Sequence, residues 1–288
     1  MKQLLPGPAV FFALLLSGCS IFDKDNEQAS YISVNEFTVS TDPVIQGSSS
    51  SKITDAWIYV DNNLLGAYSL PCRVPVLKSG NSEILLGAGI KVNGISTLRS
   101  PYVFYKLSPH EITLVPGETT FISPEVVYFD SLSFPLIATF DDISGNKLEA
   151  TSASDTNVFI TTNPSKVFEG NGCQIVTLER DSGYIEFQTV EAFNLPRQGT
   201  PVYAELNYKC SHVLSIGVAA YYALSNTQKH LIINLNPTDN WNKVYLNLTN
   251  PVSTEVNADD YRLFFYVEKA SGTEPVEILI DNLKIIHS

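Results

Sequence analysis

Residues 201–224, "PVYAELNYKCSHVLSIGVAAYYAL", contain two consecutive runs, 201–211 and 213–224, that decide the fold class. In the first run, even-numbered residues such as Val202 and Leu206 are apolar, and their odd-numbered neighbours include glutamate, asparagine and lysine. This period of two is typical of a β-strand that turns one face to a core. The stretch therefore predicts two strands that follow each other along the chain.

Similar runs continue through the second half of the chain, and no amphipathic helical stretch of useful length separates them. Many short strands without intervening helices favour a β-sandwich over a fold of alternating strands and helices. The sequence predicts an all-β protein, with a small immunoglobulin-like β-sandwich followed by a larger jelly-roll β-sandwich. The strands predicted for the larger sandwich are 135–142, 157–163, 173–181, 184–193, 201–211, 213–224, 229–235, 242–249, 261–268 and 276–286.

The first half of the chain contains shorter strand-like runs joined by turn signals, among them Asp61-Asn62-Asn63 and Asn93-Gly94. A V-D-x-x-x-x-G motif, a proline and a further glycine follow in order at Val60-Asp61, Gly66, Pro71 or Pro75, and Gly80. This order resembles PEGA-type immunoglobulin-like modules of envelope proteins, which are mostly spacers or adaptors.

The resulting domain division has five parts. It comprises a signal peptide (1–18), a tether (19–30), an immunoglobulin-like or PEGA-like domain (31–107), a connecting hairpin around Pro116-Gly117 (108–134) and a jelly roll (135–288).

Four segments of the second half carry a second resemblance: "VFEGNGCQIVTL" (167–178), "PVYAELNYK" (201–209), "WNKVYLNL" (241–248) and "VEILIDNLKI" (276–285). Their order is similar to that of jelly-roll modules of the galactose-binding and carbohydrate-binding superfamily. Such modules often hold calcium where their first and last strands meet. The resemblance implies that Asp141, Asp142 and Asp281 form a structural calcium site built from carboxylate oxygens.

In the predicted strands 201–211, 242–249 and 261–268, successive side chains alternate between two faces. The polar face of each strand carries aromatic rings beside amide or charged groups. Such a face suits a polysaccharide, because sugar C–H faces stack on rings while the hydroxyls take hydrogen bonds. An ordinary exposed sheet face with scattered tyrosines is the alternative. The candidate glycan-binding residues are Tyr203, Trp241, Tyr245, Arg262 and Tyr266.

The chain of 288 residues has 44% hydrophobic residues, enough for a sizeable core. Its net charge of −12 disfavours nucleic acid as a partner and electrostatic attachment to anionic lipid. Apart from Cys19, the cysteines are Cys72, Cys173 and Cys210, which permit at most one intrachain disulfide. Cys173–Cys210 is the candidate pair, and buried free thiols are an equally weighted alternative.

The amino terminus has the layout of a secretory signal peptide: Lys2, an apolar run over 9–16, then small residues before Cys19. The sequence "LSGC" (16–19) resembles the lipobox of bacterial lipoproteins, and an ordinary signal with a chance cysteine is the alternative. The resemblance implies lipidation of Cys19 and an outer membrane lipoprotein of the cell envelope. Its orientation, periplasmic or surface, stays open.

Catalysis finds little support in the sequence. The histidines show no metal-binding spacing, and neither a G-x-S-x-G elbow nor a phosphate-binding glycine loop is present. A glycosidase on this scaffold would need two facing carboxylates, and no pair can be named. We therefore expect a lipid-anchored, non-enzymatic accessory or adaptor that binds an envelope protein. Surface glycan binding by the jelly roll is the alternative.

Overall fold

The computed structural model describes residues 28–142, 145–224 and 226–288. Within these ranges the chain is almost entirely β, with the short helix α1 (Thr249–Thr254) as its one α-helix. None of the described helices is long and apolar enough to cross a membrane. The signal peptide and Cys19 lie outside the described residues. The prediction of an all-β protein with two sandwiches is confirmed.

The first sandwich, which we call the smaller unit, packs two main sheets. One has the order β5-β1-β9, and the other has the order β4-β3-β6-β7 with β8 also paired to β6; β2 and β10 form a short parallel pair. Its strands are β1 (Ser30–Val34), β2 (Thr38–Ser40), β3 (Asp55–Val60), β4 (Asn63–Ser69), β5 (Cys72–Val76), β6 (Gly80–Lys91), β7 (Arg99–Pro101), β8 (Ser108–Leu114), β9 (Thr119–Ile122) and β10 (Glu125–Val127).

Both turn signals of this unit act as the sequence predicts. Asp61 and Asn62 have φ angles of 48° and 64°, and Asn93 and Gly94 have φ angles of 55° and 71°. Two consecutive left-handed residues are what a type I′ turn requires, and asparagine, aspartate and glycine tolerate that region best.

The predicted connecting hairpin at 108–134 is wrong. The Pro116-Gly117 turn is present, but β8 pairs with β6 while β9 pairs in parallel with β1, so the two strands enter different sheets. Leu114 and Ile122 are buried in the core of the smaller unit. The apolar positions of both strands thus complete this sandwich, and the unit extends to β10.

The larger unit contains the remaining strands. They are β11 (Ser133–Ala138), β12 (Leu148–Ala150), β13 (Val158–Thr161), β14 (Cys173–Leu178), β15 (Gly183–Thr189), β16 (Val202–Cys210), β17 (Leu214–Tyr221), β18 (Gln228–Leu235), β19 (Asn242–Asn247), β20 (Asp260–Lys269) and β21 (Val276–His287). One sheet has the order β13-β14-β21-β16-β19, with β11 also paired to β21, and the other has the order β12-β15-β20-β17-β18.

Consecutive strands of the larger unit repeatedly cross from one sheet to the other, and the ladders are antiparallel. This is the arrangement of a jelly roll. The core lies between the sheets, and the predicted parity is confirmed: Leu206, Val244 and Phe265 all belong to it. Neither β12 nor α1 was predicted from the sequence.

Candidate functional site

The outward face of sheet β13-β14-β21-β16-β19 lies against the smaller unit, and we call it the covered face. Tyr203 and Tyr245 on this face belong to the core cluster of the smaller unit, with exposed fractions of 6% and 1%. Their ring centroids lie 5.6 Å and 4.9 Å from that of Tyr102. Rings enclosed in this way cannot stack on a sugar. The prediction that Tyr203 and Tyr245 contact a glycan is therefore wrong.

A buried carboxylate links the two units across the covered face. Glu205 Oε1 accepts hydrogen bonds of 2.7 Å from the hydroxyls of Tyr102 and Tyr128, and Glu205 Oε2 lies 2.8 Å from Lys243 Nζ. Burial raises the pKa of the Glu205 carboxyl, but the charges of Lys243 and Lys284 hold it below the ordinary value. The carboxylate therefore stays ionised, and its bonds join the units.

Trp241 lies apart from the other four predicted residues. It directly precedes the edge strand β19, is half-buried, and packs its ring 5.4 Å from that of Phe168. Arg262 and Tyr266 lie on β20 in the other sheet. The structure thus divides the predicted glycan-binding set among three places.

The outward face of sheet β12-β15-β20-β17-β18 is partly exposed, with several buried residues along its middle, and we call it the open face. Its side chains form rows because the strands are in register. One row is Glu186, Tyr266, Ser215 and Asn234; the next is Gln188, Phe264, Gly217 and Leu231; the third is Arg262, Ala219 and Lys229. Arg262 and Tyr266, both half-buried, are the predicted residues that this face brings together.

Aromatic rings run along the middle of the open face. Phe264 and Tyr266 have nearly parallel rings, with an interplanar angle of 11° and centroids 6.4 Å apart. Tyr184 on β15 lies 6.1 Å from Tyr266. Phe264 is buried, whereas Tyr184 and Tyr266 each keep part of their ring in contact with solvent. The two tyrosines therefore offer adjoining apolar surfaces.

Gly217 makes room for the Phe264 ring. A Cβ at this position would lie 2.5 Å from two ring atoms of Phe264 and 2.3 Å from the backbone oxygen of His230. A side chain of any size would therefore displace the ring or the neighbouring strand. The glycine lets the aromatic surface lie close to the sheet.

Charged and polar groups flank the rings. Lys229 Nζ donates to both oxygens of Glu186 at 2.7 Å, and the Tyr184 hydroxyl donates to Glu186 Oε2 at 2.9 Å. Burial and the Glu186 carboxylate raise the pKa of Tyr184, so the hydroxyl keeps its proton at neutral pH. The cluster of Lys229, Glu186 and Tyr184 can thus donate and accept hydrogen bonds next to an apolar ring.

A second polar group lies beside the third row. Arg262 donates to Glu149 Oε1 at 2.7 Å, and Gln188 donates to the same oxygen at 3.2 Å. The Tyr221 hydroxyl donates to Gln188 Oε1 at 2.6 Å. Planar amide and guanidinium groups held in this way present donors and acceptors in fixed directions.

A cleft of about 940 Å³ lies between β18, α1 and the 92–98 loop. His230 Nε2 and Glu255 Oε1 are 2.5 Å apart in its lining. Glu255 is the one acidic residue among the described residues that line the cleft. Glycoside hydrolysis needs two carboxylates across the scissile bond. This cleft does not supply that pair.

The structure does not gather the three predicted calcium ligands into one group, and a calcium site there stays a prediction. Both oxygens of Asp281 accept backbone hydrogen bonds, from Asn282 at 2.8 Å and from Glu169 at 3.2 Å. Burial raises the pKa of Asp281 to about 7, and Asp141 contributes in the same direction. In the described ranges, no three acidic, histidine or cysteine side chains form a metal-binding group, Asp142 included.

The predicted disulfide is also wrong, because Cys173 and Cys210 are both free and buried. Cys173 is on β14 and Cys210 is on β16, and these strands flank β21 on opposite sides. Two strand spacings are about 9.5 Å, beyond the roughly 7 Å that a disulfide can span. Burial raises the pKa of Cys173 to about 12 and that of Cys210 to about 11.

Sequence reasoning missed Tyr184, Glu186, Phe264 and Lys229. Alternation along 184–189 was a usable signal, because it places Tyr184, Glu186 and Gln188 on one side of a strand. The pairing of β15 with β20, which joins those residues to Tyr266, has no signal in the sequence.

No family model matches the chain, and none of the curated proteins matches it. The chain is similar in structure to a xylan-binding domain of CBM 22, at 14% identity and a TM-score of 0.39, over 55% of this chain and 96% of that one. It is also similar to TmCBM61 in complex with β-1,4-galactotriose, at 12% identity and a TM-score of 0.34, over 51% of this chain and 92% of that one.

A third similar structure is the CBM22-1–GH10 part of xylanase 10B from Clostridium thermocellum, complexed with xylohexaose. The identity is 12% and the TM-score is 0.40, over 54% of this chain and 28% of that one.

Proposed function

We propose that the protein binds a polysaccharide on the open face. The observation that carries the proposal is the adjoining, partly exposed rings of Tyr184 and Tyr266, with Glu186 and Lys229 beside them. The apolar faces of sugar rings stack on aromatic rings, and their hydroxyls exchange hydrogen bonds with charged groups. An apolar surface with a few well-placed polar groups is typical of sites for small polar ligands.

The open face supports glycan binding better than the adaptor role expected from the sequence. Its side chains are charged, amide or aromatic, and its central ion pair already satisfies both oxygens of Glu186. Protein interfaces deplete glutamate and lysine at their centres. Sugar hydroxyls, which donate and accept, can be added to such a network without removing its charges.

Binding is tested with the full chain on an array of polysaccharides, followed by titration calorimetry with the best ligand. We expect Tyr266→Ala to lower the affinity at least about fivefold, the equivalent of one aromatic contact of about 1 kcal/mol. The matched control is Tyr59→Ala, which removes a half-buried tyrosine from the smaller unit. A folded protein that binds no polysaccharide would contradict the proposal.

We also propose that the chain is held at an outer membrane by lipid on Cys19 and binds its glycan without cleaving it. Acyl chains anchor a protein through about 0.8 kcal/mol per buried methylene. Cys19→Ala should move the protein from the membrane fraction to the soluble fraction, as measured by immunoblotting. Reducing ends released from the bound polysaccharide would contradict the absence of an enzymatic role.

A further inference from the structure

A pocket forms where the two units meet, beside the edge strands β18 and β19. The turn that follows β6 docks there: Asn93 N donates to the backbone oxygen of Tyr245 at 2.8 Å, and Asn247 N donates to Asn93 Oδ1 at 2.7 Å. Gly94 is close enough that a Cβ would lie 3.4 Å from Val244. The pocket therefore takes its walls from both units.

Three lysines converge on this pocket. Lys52, Lys91 and Lys243 line an inner cavity of about 40 Å³. An outer cavity of about 450 Å³ shares Lys52, Gly94 and Lys243 with the inner one. This outer volume lies within the range of sites for small molecules, which run from about 300 to 1,000 Å³. We call the two cavities together the junction pocket.

The carboxylates at the junction pocket do not balance its cations. Asp55 pairs with Lys91 at 2.8 Å and also with Arg99, which lies outside the pocket lining, at 3.1 Å. Glu205 pairs with Lys243 at 2.8 Å. The partner of Lys52 Nζ is the neutral amide oxygen of Asn242 at 2.5 Å. An excess of positive charge at one place is notable in a chain of net charge −12.

Lys243 lines both cavities and has unused hydrogen-bonding capacity. Its side chain is 2% exposed, and an ammonium group carries three donors. Among the described residues, Glu205 is its one ionic partner, at 2.8 Å, which leaves further donors of the ammonium group unmatched. A buried cation with unmet donors is costly, and an incoming anion would relieve that cost. Burial also lowers the pKa of Lys52.

The rim of the outer cavity has a different chemistry. It carries side-chain amides and one phenol, which offer both donors and acceptors. These residues are Asn93, Asn234, Asn236, Asn242 and Tyr208. A lining that combines lysines with side-chain amides matches a ligand with one anionic group and several hydroxyls.

We propose that the junction pocket binds a sugar that carries a carboxylate, a uronic acid residue, with the carboxylate against Lys52, Lys91 and Lys243 and the hydroxyls against the rim amides. The proposal does not rest on glycan binding by the open face. Ionised hydrogen bonds of this kind are about twice as strong as neutral ones, so the carboxylate dominates the selectivity.

The test is titration calorimetry of the full chain with glucuronate and galacturonate, with glucose and inorganic phosphate as comparison ligands. We expect saturable binding of one of the uronates, at least tenfold tighter than that of glucose or phosphate. Equal affinity for glucose would contradict the role of the lysines, and equal affinity for phosphate would contradict a sugar ligand. Absence of uronate binding would overturn the proposal.

Variants locate the site. Lys52→Gln and Lys91→Gln should each weaken uronate binding at least fivefold, and each is checked for a native circular dichroism spectrum. Lys147→Gln is the matched control, because this lysine pairs with Glu191 at 3.6 Å, away from the pocket. Unchanged affinity in both pocket variants would overturn the proposal. Tyr266→Ala should leave uronate binding intact, which separates the junction pocket from the open face.

Discussion

The two outward faces of the jelly roll carry the same kind of ion pair in different surroundings. On the covered face, Lys243 and Glu205 are 2.8 Å apart, with side chains 2% and 0% exposed. On the open face, Lys229 and Glu186 are 2.7 Å apart, with side chains 45% and 10% exposed. Water reaches the Lys229–Glu186 pair and weakens the attraction between its two charges. This pair is therefore available to a ligand. Burial therefore distinguishes a pair that joins the two units from a pair that solvent reaches.

The largest expected effect is on the covered face. Glu205→Ala leaves the Lys243 ammonium and two tyrosine hydroxyls without their acceptor, so we expect the free energy of unfolding to fall by about 3–5 kcal/mol. Urea denaturation measures this change in the free energy of unfolding. The control is Glu268→Gln on the exposed side of β20, which should change stability by no more than about 0.5 kcal/mol. Equal losses of unfolding free energy in Glu205→Ala and Glu268→Gln would contradict the distinction between the two faces.

Gly217→Ala tests the close packing that supports the open face. The added methyl group meets the His230 backbone oxygen as well as the Phe264 ring, and we expect a loss of about 1–3 kcal/mol in the free energy of unfolding. Gly80→Ala is the comparison: Gly80 has a φ of 87°, but a Cβ added there would meet nothing within 4 Å, so this variant reports backbone strain alone. If Gly217→Ala lost less unfolding free energy than Gly80→Ala, the Phe264 ring would not be tightly packed against Gly217.

A pH dependence of stability is expected from Asp281 on the covered face. Burial raises the pKa of Asp281 to about 7, so the folded protein holds a proton there that the unfolded chain releases above about pH 4. Stability should therefore fall as pH rises from about 4 to 7, by at most about 1.4 kcal/mol per pH unit. Asp281→Asn should flatten this part of the profile in urea titrations. An unchanged slope would mean that Asp281 ionises normally.

The smallest effect is expected at Arg262 on the open face. Its contact with Glu149 is partly exposed, at 24% and 46% for the two side chains, and surface pairs contribute about 0–1 kcal/mol. Arg262→Gln should thus change the thermal midpoint little. A loss as large as that of Glu205→Ala would place this pair among the structural contacts.

Alternation in the sequence predicts which side chains share a face, and it does so on β16, β19 and β20. It does not predict what covers the face. Tyr245 and Tyr266 have the same alternation, yet one lies in the core of the smaller unit and the other meets solvent. That difference arises because β8 and β9 complete the smaller unit, which then packs on one sheet of the jelly roll.

Contacts between distant segments of the chain also could not be predicted from the sequence. Cys173 and Cys210 both lie in the second half of the chain, but β21 lies between their strands. The lysines of the junction pocket come from three separate parts of the chain, and none of them has a motif. Turns, by contrast, depend on two or three adjacent residues, which is why Asn93-Gly94 was predictable.

The most direct test of the central claim compares polysaccharide affinity in Tyr184→Ala and Tyr203→Phe by titration calorimetry. Tyr184 lies on the open face, and Tyr203→Phe removes from the covered face the hydroxyl that accepts a hydrogen bond from the Asn247 side-chain amide at 3.0 Å. We expect Tyr184→Ala to lose at least about fivefold in affinity and Tyr203→Phe to bind like the wild type. The reverse result would place the glycan on the covered face and contradict the account.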